Sequence, residues 1–184
     1  MTYATDAIHH DCTAQSRIAT PLGPLLLART KAGLAGAWFA AQKHHPAAID
    51  APERDDDPLL ADAASQLREY FAGERSTFDL VLDLQGTPFQ RSVWAELLRI
   101  AAGATTSYGA IAGRLGMPAA SRAVGAAVGR NPVSIIVPCH RVVGSSGSLT
   151  GYAGGLDRKT ALLRLEAPNA DAARDCRSAQ LELH

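Results

Sequence analysis

One short run constrains this 184-residue chain more than any other. An apolar stretch, residues 133–137, stops at Pro138 and is followed at once by Cys139 and His140. The β-branched residues before the proline favour a buried strand. Proline lacks the N–H that a strand ladder needs, so we expect the strand to end there. The sequence therefore predicts a thiol and an imidazole at the end of a buried strand.

Cys139 has two interpretations. A free cysteine often packs inside a protein as a small hydrophobic residue. A neighbouring imidazole or guanidinium, however, lowers the pKa of a thiol from about 8.5 towards roughly 4–7 and makes it a nucleophile. Because His140 and Arg141 follow Cys139 directly, we favour the reactive interpretation and expect a lowered thiol pKa.

Length and composition set broad limits. The chain fits one large domain or two small ones, and 47% hydrophobic residues are enough for a core. It has no run of about 18 uncharged apolar residues, so no membrane-spanning helix is expected. The N-terminus is unlike a secretory signal. Cys12, Cys139 and Cys176 are odd in number and far apart, which fits a thiol protein of the reducing cytoplasm.

The net charge of zero is unevenly distributed. Residues 1–85 hold 7 basic and 12 acidic side chains, residues 86–168 hold 9 and 3, and residues 169–184 hold 2 and 3. A basic segment suggests a polyanion as the partner of the second part, although a solvated surface gives the same pattern. We expect the acidic first part to contribute little to such binding.

The hydrophobic periodicity predicts an α+β fold in two domains. Residues 1–85 form a small strand–helix domain, residues 86–168 a mostly helical domain, and residues 169–184 a polar tail. The predicted strands of the first domain cover residues 16–20, 25–30, 34–39 and 78–84, and its helix covers 58–71. The predicted helices of the second domain begin at the Thr87-Pro88 cap, at 107 and at 119, and end by 103, 115 and 129.

The last two helices have the shape of a helix-turn-helix, with a tight turn at Gly116-Met117-Pro118. The second of them is unusually bare: it is built from alanine and glycine around one long side chain, Arg122. A helix that reads the major groove carries several long polar side chains, so this one fits the minor groove better. Tight packing against another element would give the same composition.

Beyond these features, the order of motifs between residues 86 and 166 resembles that of the O6-alkylguanine-DNA alkyltransferases, the methylated-DNA–protein-cysteine methyltransferases. The first 85 residues resemble the first domain of that family only loosely. The matching motifs are Gly86-Thr87-Pro88-Phe89-Gln90, Val93-Trp94, Thr106-Ser107-Tyr108, Arg122-Ala123-Val124-Gly125, Asn131-Pro132, Pro138-Cys139-His140-Arg141-Val142, Gly151-Tyr152 and Glu166.

The resemblance implies DNA repair by direct reversal of damage. In an irreversible, single-turnover reaction, the alkyl group of O6-alkylguanine in double-stranded DNA moves to Cys139, with O4-alkylthymine left open as a second substrate. A soft thiolate suits displacement at carbon. By the resemblance, His140 is the base that takes the thiol proton, directly or through one water, and Glu166 orients it. No cofactor and no metal are implied.

The resemblance also assigns the residues that bind DNA. The target base must leave the stack, and Arg122 fills the hole while its helix lies in the minor groove. Tyr108 assists rotation of the nucleotide and hydrogen-bonds the base. Asn131 ties the helix-turn-helix to the reactive turn.

The remaining expectations concern the pocket for the base. By the resemblance, the backbone carbonyls of Cys139 and Val142 accept hydrogen bonds from the guanine amino group, and Tyr152 forms a pocket wall. Some family members have a serine after this tyrosine, whose hydroxyl contacts O6. Here the residue is Ala153, so a backbone amide would have to replace that contact.

Other functions compete with this one. A non-catalytic alkylated-base-binding protein or DNA-binding regulator would need the helix-turn-helix but not the reactive cysteine. A thiol hydrolase would leave the bare helix unexplained. A structural zinc is a further option, but its possible ligands have no standard zinc spacing; they are Cys12, His9, His10, His44 and His45. We therefore expect a monomeric, cytoplasmic, metal-free DNA-repair protein.

Overall fold

The computed structural model describes residues 11–167, and its mixture of strands and helices confirms the α+β class. The strands are β1 (Ala14–Ile18), β2 (Leu25–Arg29), β3 (Leu34–Phe39), β4 (Thr106–Ser107) and β5 (Val142–Val143). The helices are α1 (Pro58–Phe71), α2 (Pro88–Leu98), α3 (Tyr108–Arg114), α4 (Ser121–Gly129) and α5 (156–167), with 3₁₀ turns at Pro118–Ala120 and Cys139–Arg141. Within these residues, no helix is both long enough and apolar enough to cross a bilayer.

The first part of the chain is an antiparallel meander of β1, β2 and β3 with α1 packed against it. Strand β1 lies two residues earlier than predicted, because Ile18 pairs with Leu25 at the end of the hairpin. Helix α1 matches its predicted bounds and turns Leu60 and Leu67 into the core. The meander and its helix thus follow from periodicity and turn residues alone.

The predicted strand over residues 78–84 is wrong. Only Leu82 forms a bridge, to Leu34, and the Leu34 N–H donates to the Val81 carbonyl at 2.8 Å. Farther along β3, the same edge is occupied by another segment, since Ala37 bridges Val133. Two segments share the edge of β3, so neither has room to form a full strand there.

The predicted strand over residues 133–137 is also wrong, although every residue in it is buried. The chain makes a compact turn instead, in which the Val137 N–H donates to the Val133 carbonyl at 3.0 Å. Ile135 adopts a φ of 73°, a left-handed conformation that is uncommon for a β-branched residue. The apolar run indicated burial correctly, but the strand of this region is β5, which follows the reactive residues and pairs parallel with β4.

The predicted helices of the second part are confirmed, with α3 and α4 separated by the short 3₁₀ turn. The α2 helix supports α4, because the indole N–H of Trp94 donates to the Ala127 carbonyl at 2.9 Å. One continuous hydrophobic core includes Leu67 of the first part together with Trp94 and Val124 of the second. The two halves are therefore packed as one body around the residues described next.

The N-cap of α1 gives a test of the first part. Asp57 accepts the backbone N–H groups of Leu59 and Leu60 at 3.0 and 3.1 Å and also contacts Arg29. We expect Asp57→Ala to lower the free energy of unfolding by about 0.5–2 kcal/mol, the usual cost of a lost cap. Asp56→Ala is the matched control, since Asp56 is exposed and caps no helix, and its ion pair within residues 11–167 is with Arg54. Urea unfolding midpoints that fall equally for both variants would contradict the capping role.

Candidate active site

The segment 131–141, here called the active-site turn, is held together by Asn131. Its side-chain NH₂ group lies 2.8 Å from the Val137 carbonyl, 3.3 Å from the Val133 carbonyl and 3.0 Å from Cys139 Sγ, and its Oδ1 accepts the Val133 N–H. This one side chain satisfies backbone groups that a neighbouring strand would otherwise have bonded. Asn131 directly follows the α4 C-cap Arg130, so its side chain links the end of α4 to the thiol.

The Cys139 thiol is 4% exposed, and its electrostatics differ from the sequence-based expectation. Burial raises its pKa above the ordinary value, and the hydrogen bond from Asn131 and the charge of Lys159 oppose this only in part. Arg141, which we expected to help activate the thiol, is bound to Glu166 instead. At neutral pH the resting site therefore holds a protonated thiol.

The Glu166 carboxylate is 1% exposed and is surrounded by hydrogen-bond donors. Its partners are Tyr70 Oη at 2.7 Å, His140 Nε2 at 2.8 Å, Arg141 Nη2 and Nε at 2.8 and 2.9 Å, and the Gly103 N–H at 3.4 Å. Burial alone would disfavour the anion, but the hydrogen bonds from His140 and Arg141 outweigh it and hold the Glu166 pKa well below its usual range. The carboxylate is therefore ionised.

This carboxylate sets the state of His140. Burial lowers the pKa of the imidazole, and Glu166 offsets only part of that effect, so His140 is neutral at neutral pH. A neutral imidazole beside a carboxylate carries its proton on the facing nitrogen, here Nε2. Its other nitrogen, Nδ1, is then a basic lone pair, and it has no hydrogen-bond partner among residues 11–167.

Lys159 of α5 is buried and hydrogen-bonds the backbone on both sides of the segment that follows the reactive residues. Its Nζ donates to the Val142 carbonyl and, at 2.8 Å, to the Thr150 carbonyl. The Val142 carbonyl, which we expected to bind the guanine amino group, thus already accepts one hydrogen bond, and the Cys139 carbonyl accepts the Val142 N–H. Each carbonyl oxygen keeps a second lone pair for a base.

Residues 144–155, here called the binding loop, lie across the site. The Tyr108 hydroxyl, at the start of α3, shares its proton between the loop carbonyls of Thr150 and Gly151 at 3.0 and 3.2 Å. The Tyr152 hydroxyl is buried and has no hydrogen-bond partner in the described chain. The Ala153 carbonyl accepts the N–H of Lys43 at 2.9 Å. The loop is thus tied to α3 on one side and to the first half of the chain on the other.

A cavity of about 530 Å³ opens beside the binding loop, with α4 as one wall. Gly125 and Gly129 of α4 line it, and neither glycine is required by packing. A Cβ at Gly129 would meet no atom within 4 Å, and one at Gly125 would make ordinary contact with the Tyr108 ring at 3.7 Å. The bare surface of α4 therefore faces open space. Arg122 is exposed on the same helix.

Two residues of this site were not identified as such from the sequence. Tyr70 was predicted only as part of the apolar stripe of α1, and its Glu166 partner lies 96 positions away. Lys159 was not singled out, although a lysine among apolar positions of a helix, with Leu162 next on the same face, was a usable signal. The expected residues Cys139, His140 and Glu166 do come together.

The zinc candidates do not form a site in the part of the chain that the structure covers. Between residues 11 and 167, no group of three or more histidine, cysteine, aspartate or glutamate side chains is arranged to hold a metal ion. His9, His10 and Cys176 lie outside the described residues. Burial, with Asp11 and Asp83 adding to it, raises the pKa of the Cys12 thiol.

Comparison with known protein families gives two adjoining matches. Residues 88–168 match the DNA-binding domain of 6-O-methylguanine DNA methyltransferase, and residues 15–84 match the ribonuclease-like domain of the same family.

Individual relatives agree with the family models. A methylated-DNA–protein-cysteine methyltransferase of Mycobacterium tuberculosis is 50% identical over 155 residues, which cover 84% of this chain and 93% of the relative. One from Methanosarcina acetivorans is 49% identical over 149 residues, which cover 80% and 94%. The crystal structure of Mycobacterium tuberculosis OGT in complex with DNA superimposes with a TM-score of 0.79 at 47% identity, covering 85% of this chain and 94% of the other. With both halves matched and relatives about half identical over most of its length, this chain belongs to the O6-methylguanine-DNA methyltransferase family.

Proposed function

We propose that this protein repairs DNA by moving the alkyl group of O6-alkylguanine irreversibly onto its own Cys139. The observation that carries the proposal is the buried hydrogen bond between Glu166 and His140 Nε2. It leaves Nδ1 as a basic lone pair in the residue next to the thiol. Membership of the family supports the reaction, and the chemistry of the site supports the choice of residues.

In the proposed reaction, His140 Nδ1 takes the Cys139 proton through one bridging water. The thiolate then attacks the alkyl carbon, the carbon–O6 bond breaks, and guanine leaves as the repaired base. Asn131 donates to the sulfur and stabilises the developing thiolate. Glu166 stabilises the imidazolium that forms, as a carboxylate beside a catalytic histidine does. The thioether that remains on Cys139 ends the cycle after one turnover.

We infer that α4 enters the minor groove of duplex DNA. Gly125 and Gly129 allow close approach, since nothing in the protein needs their small size. Arg122 replaces the flipped base, and Tyr108 contacts the base as it rotates. We also propose that the protein acts as a monomer. A location in the reducing cytoplasm belongs to the same proposal, since Cys12 and Cys139 are both thiols.

We propose that the binding loop moves to give a base access to the thiol. Cys139 is nearly fully buried, and Tyr108 fastens the loop through Thr150 and Gly151. We propose that an incoming base displaces these hydrogen bonds and then packs against Tyr152, Ala153 and the Val142 carbonyl. The non-catalytic alternative, a lesion-binding protein or DNA-binding regulator, has no use for a buried thiol beside a carboxylate-bound histidine.

The function is tested by intact-mass analysis after mixing with duplex DNA containing O6-methylguanine. The wild type should gain one methyl group on Cys139, and Cys139→Ser should gain none while still binding the lesion. Cys12→Ala is the control and should react as the wild type does. Methylation of any other residue, or binding without transfer by the wild type, would refute the assignment.

Arg122→Ala should separate base flipping from chemistry. Reaction with duplex DNA should slow by about tenfold or more, because flipping the base costs a few kcal/mol and the Arg122 side chain in the vacated space offsets part of that cost. Free O6-benzylguanine needs no flipping, so its reaction should change little. Arg164→Ala, an exposed arginine on α5, should affect neither substrate. Equal losses on both substrates for Arg122→Ala would show that Arg122 is structural.

Gly125→Ala should raise stability and lower repair. Replacing a glycine inside a helix with alanine stabilises by about 0.5–1 kcal/mol where there is room, and here there is. The added methyl group would stand on the surface that meets DNA, so duplex affinity should fall. Gly113→Ala, at an open position on α3, is the matched control and should leave affinity unchanged. A Gly125→Ala protein that binds duplex DNA as tightly as the wild type would contradict minor-groove docking by α4.

The pH dependence of the rate shows whether His140 removes the Cys139 proton during the reaction or whether a thiolate is already present before it. The Cys139 pKa is raised and the His140 pKa is lowered. At every pH between these two pKa values, the protein therefore holds mainly a protonated thiol beside a neutral imidazole. The rate with O6-benzylguanine should therefore be flat from about pH 7 to 8.5 and fall only in acid, once His140 is protonated. A rate that rises about tenfold per pH unit over that range would mean that the thiolate forms without His140.

A further inference from the structure

A segment from the first half of the chain reaches the cavity beside α4. Lys43 and His44 line it together with Gly125 and Gly129, and Lys43 and His44 are exposed. They belong to residues 40–46, here called the β3 loop, which leaves the end of β3. Nothing in the proposed chemistry uses this loop.

The β3 loop is fixed to the reactive part of the molecule. Gln42 is buried, and its Oε1 accepts the Phe39 N–H at 2.8 Å and the hydroxyl of Ser134, in the active-site turn, at 3.2 Å. The next residue, Lys43, donates its N–H to Ala153 in the binding loop. One loop of the first half is thus anchored to both segments that surround Cys139.

The backbone around Lys43 is held in an uncommon conformation. Ala41 and His44 both have a φ of 60°, in the left-handed region that non-glycine residues seldom occupy. The third such residue in the described chain is Ile135, in the active-site turn. Conformations of this kind persist where the surroundings enforce them, and they cluster at ligand sites. The β3 loop therefore has the character of a positioned surface rather than a simple connection.

Lys43 and Arg130 make the cavity positively charged. His44 also lines it, and no aspartate or glutamate does so among the residues described. Burial lowers the pKa of His44, and the nearby charges of Arg130 and Lys43 lower it further. Gly155 and Leu156, at the N-terminal end of α5, complete this side, where the positive end of the helix dipole favours anions.

We propose that Lys43 binds a backbone phosphate of the lesion-bearing DNA strand, next to the flipped guanine, and so positions the nucleotide for transfer. The inference rests on the proposed function. A phosphodiester suits the site better than a free ion because the cavity is large and is also walled by Tyr108, Tyr152 and Leu156, which accommodate sugar and base. The acidic first half, which the charge distribution left outside the DNA interface, then supplies a positioning residue through one local cation.

The test compares Lys43→Gln with Lys31→Gln. Lys31 is an exposed lysine of the same half, on the turn between β2 and β3 and outside the cavity lining. For Lys43→Gln, the ratio of the duplex rate to the O6-benzylguanine rate should fall about fivefold, and the salt dependence of duplex binding should become shallower by about 0.9 in log–log slope. Lys31→Gln should change neither the rate ratio nor the slope. Lys43→Arg, which keeps the positive charge, should give the wild-type values of both.

Replacing single phosphates around the lesion with uncharged methylphosphonates identifies the partner. At one position the methylphosphonate should weaken duplex binding by the wild type but cause no further loss of affinity in Lys43→Gln, which already lacks the contact. If Lys43→Gln loses as much as the wild type at every position, or slows both substrates equally, the proposal is wrong. Absence of alkylation of the wild type by either substrate would refute the proposed function instead, and the duplex-binding slopes would still decide the role of Lys43.

Discussion

The buried carboxylate of Glu166 is the group on which the site depends. It gathers Tyr70 from α1, the Gly103 N–H after α2, and His140 and Arg141 from the active-site turn. Removing one partner of a buried ion pair typically destabilises a protein by about 3–5 kcal/mol, because the other charge is left without compensation. The group that fixes the histidine tautomer is therefore also the group that joins the two halves of the chain, and its substitution affects fold and chemistry together.

From this carboxylate the state of each neighbour follows. Arg141 is occupied by Glu166, so it does not lower the pKa of the thiol, and His140 is held neutral with Nδ1 unprotonated. Asn131 supplies the only hydrogen bond to Cys139 Sγ recorded from a side chain in residues 11–167. In the proposed reaction, the sulfur becomes nucleophilic only when a proton moves within the site. The neighbours of Cys139 in the sequence led us to expect a lowered thiol pKa, whereas burial in the structure raises it.

The sequence predicted what depends on local patterns. Helix α1 begins and ends where its apolar spacing indicated, and the alanine- and glycine-rich surface of α4 does face open space. The prediction of a strand over residues 133–137 was wrong because an apolar run indicates burial but not which groups hydrogen-bond the backbone. Here the side chain of Asn131 bonds the Val137 carbonyl and the Val133 N–H.

The other differences arise from partners that are distant in sequence. The strand over 78–84 failed because another segment already occupies part of the edge of β3, which no pattern within residues 78–84 could indicate. Tyr70 and Lys159 belong to the candidate site only through partners that the fold brings to them, Glu166 for Tyr70 and the Val142 and Thr150 carbonyls for Lys159. The β3 loop is the same case: Lys43 has no motif of its own, and its place at the cavity follows from the bonds of Gln42.

The raised pKa and the burial of Cys139 have a consequence for the lifetime of the protein. Oxidants and soluble electrophiles attack thiolates that are exposed, and a covered, protonated sulfur escapes most of them. A protein that reacts once and is not regenerated is inactivated permanently by any such side reaction. If DNA opens the loop as proposed, Cys139 stays unreactive until then, and the unused molecules remain available for damaged DNA.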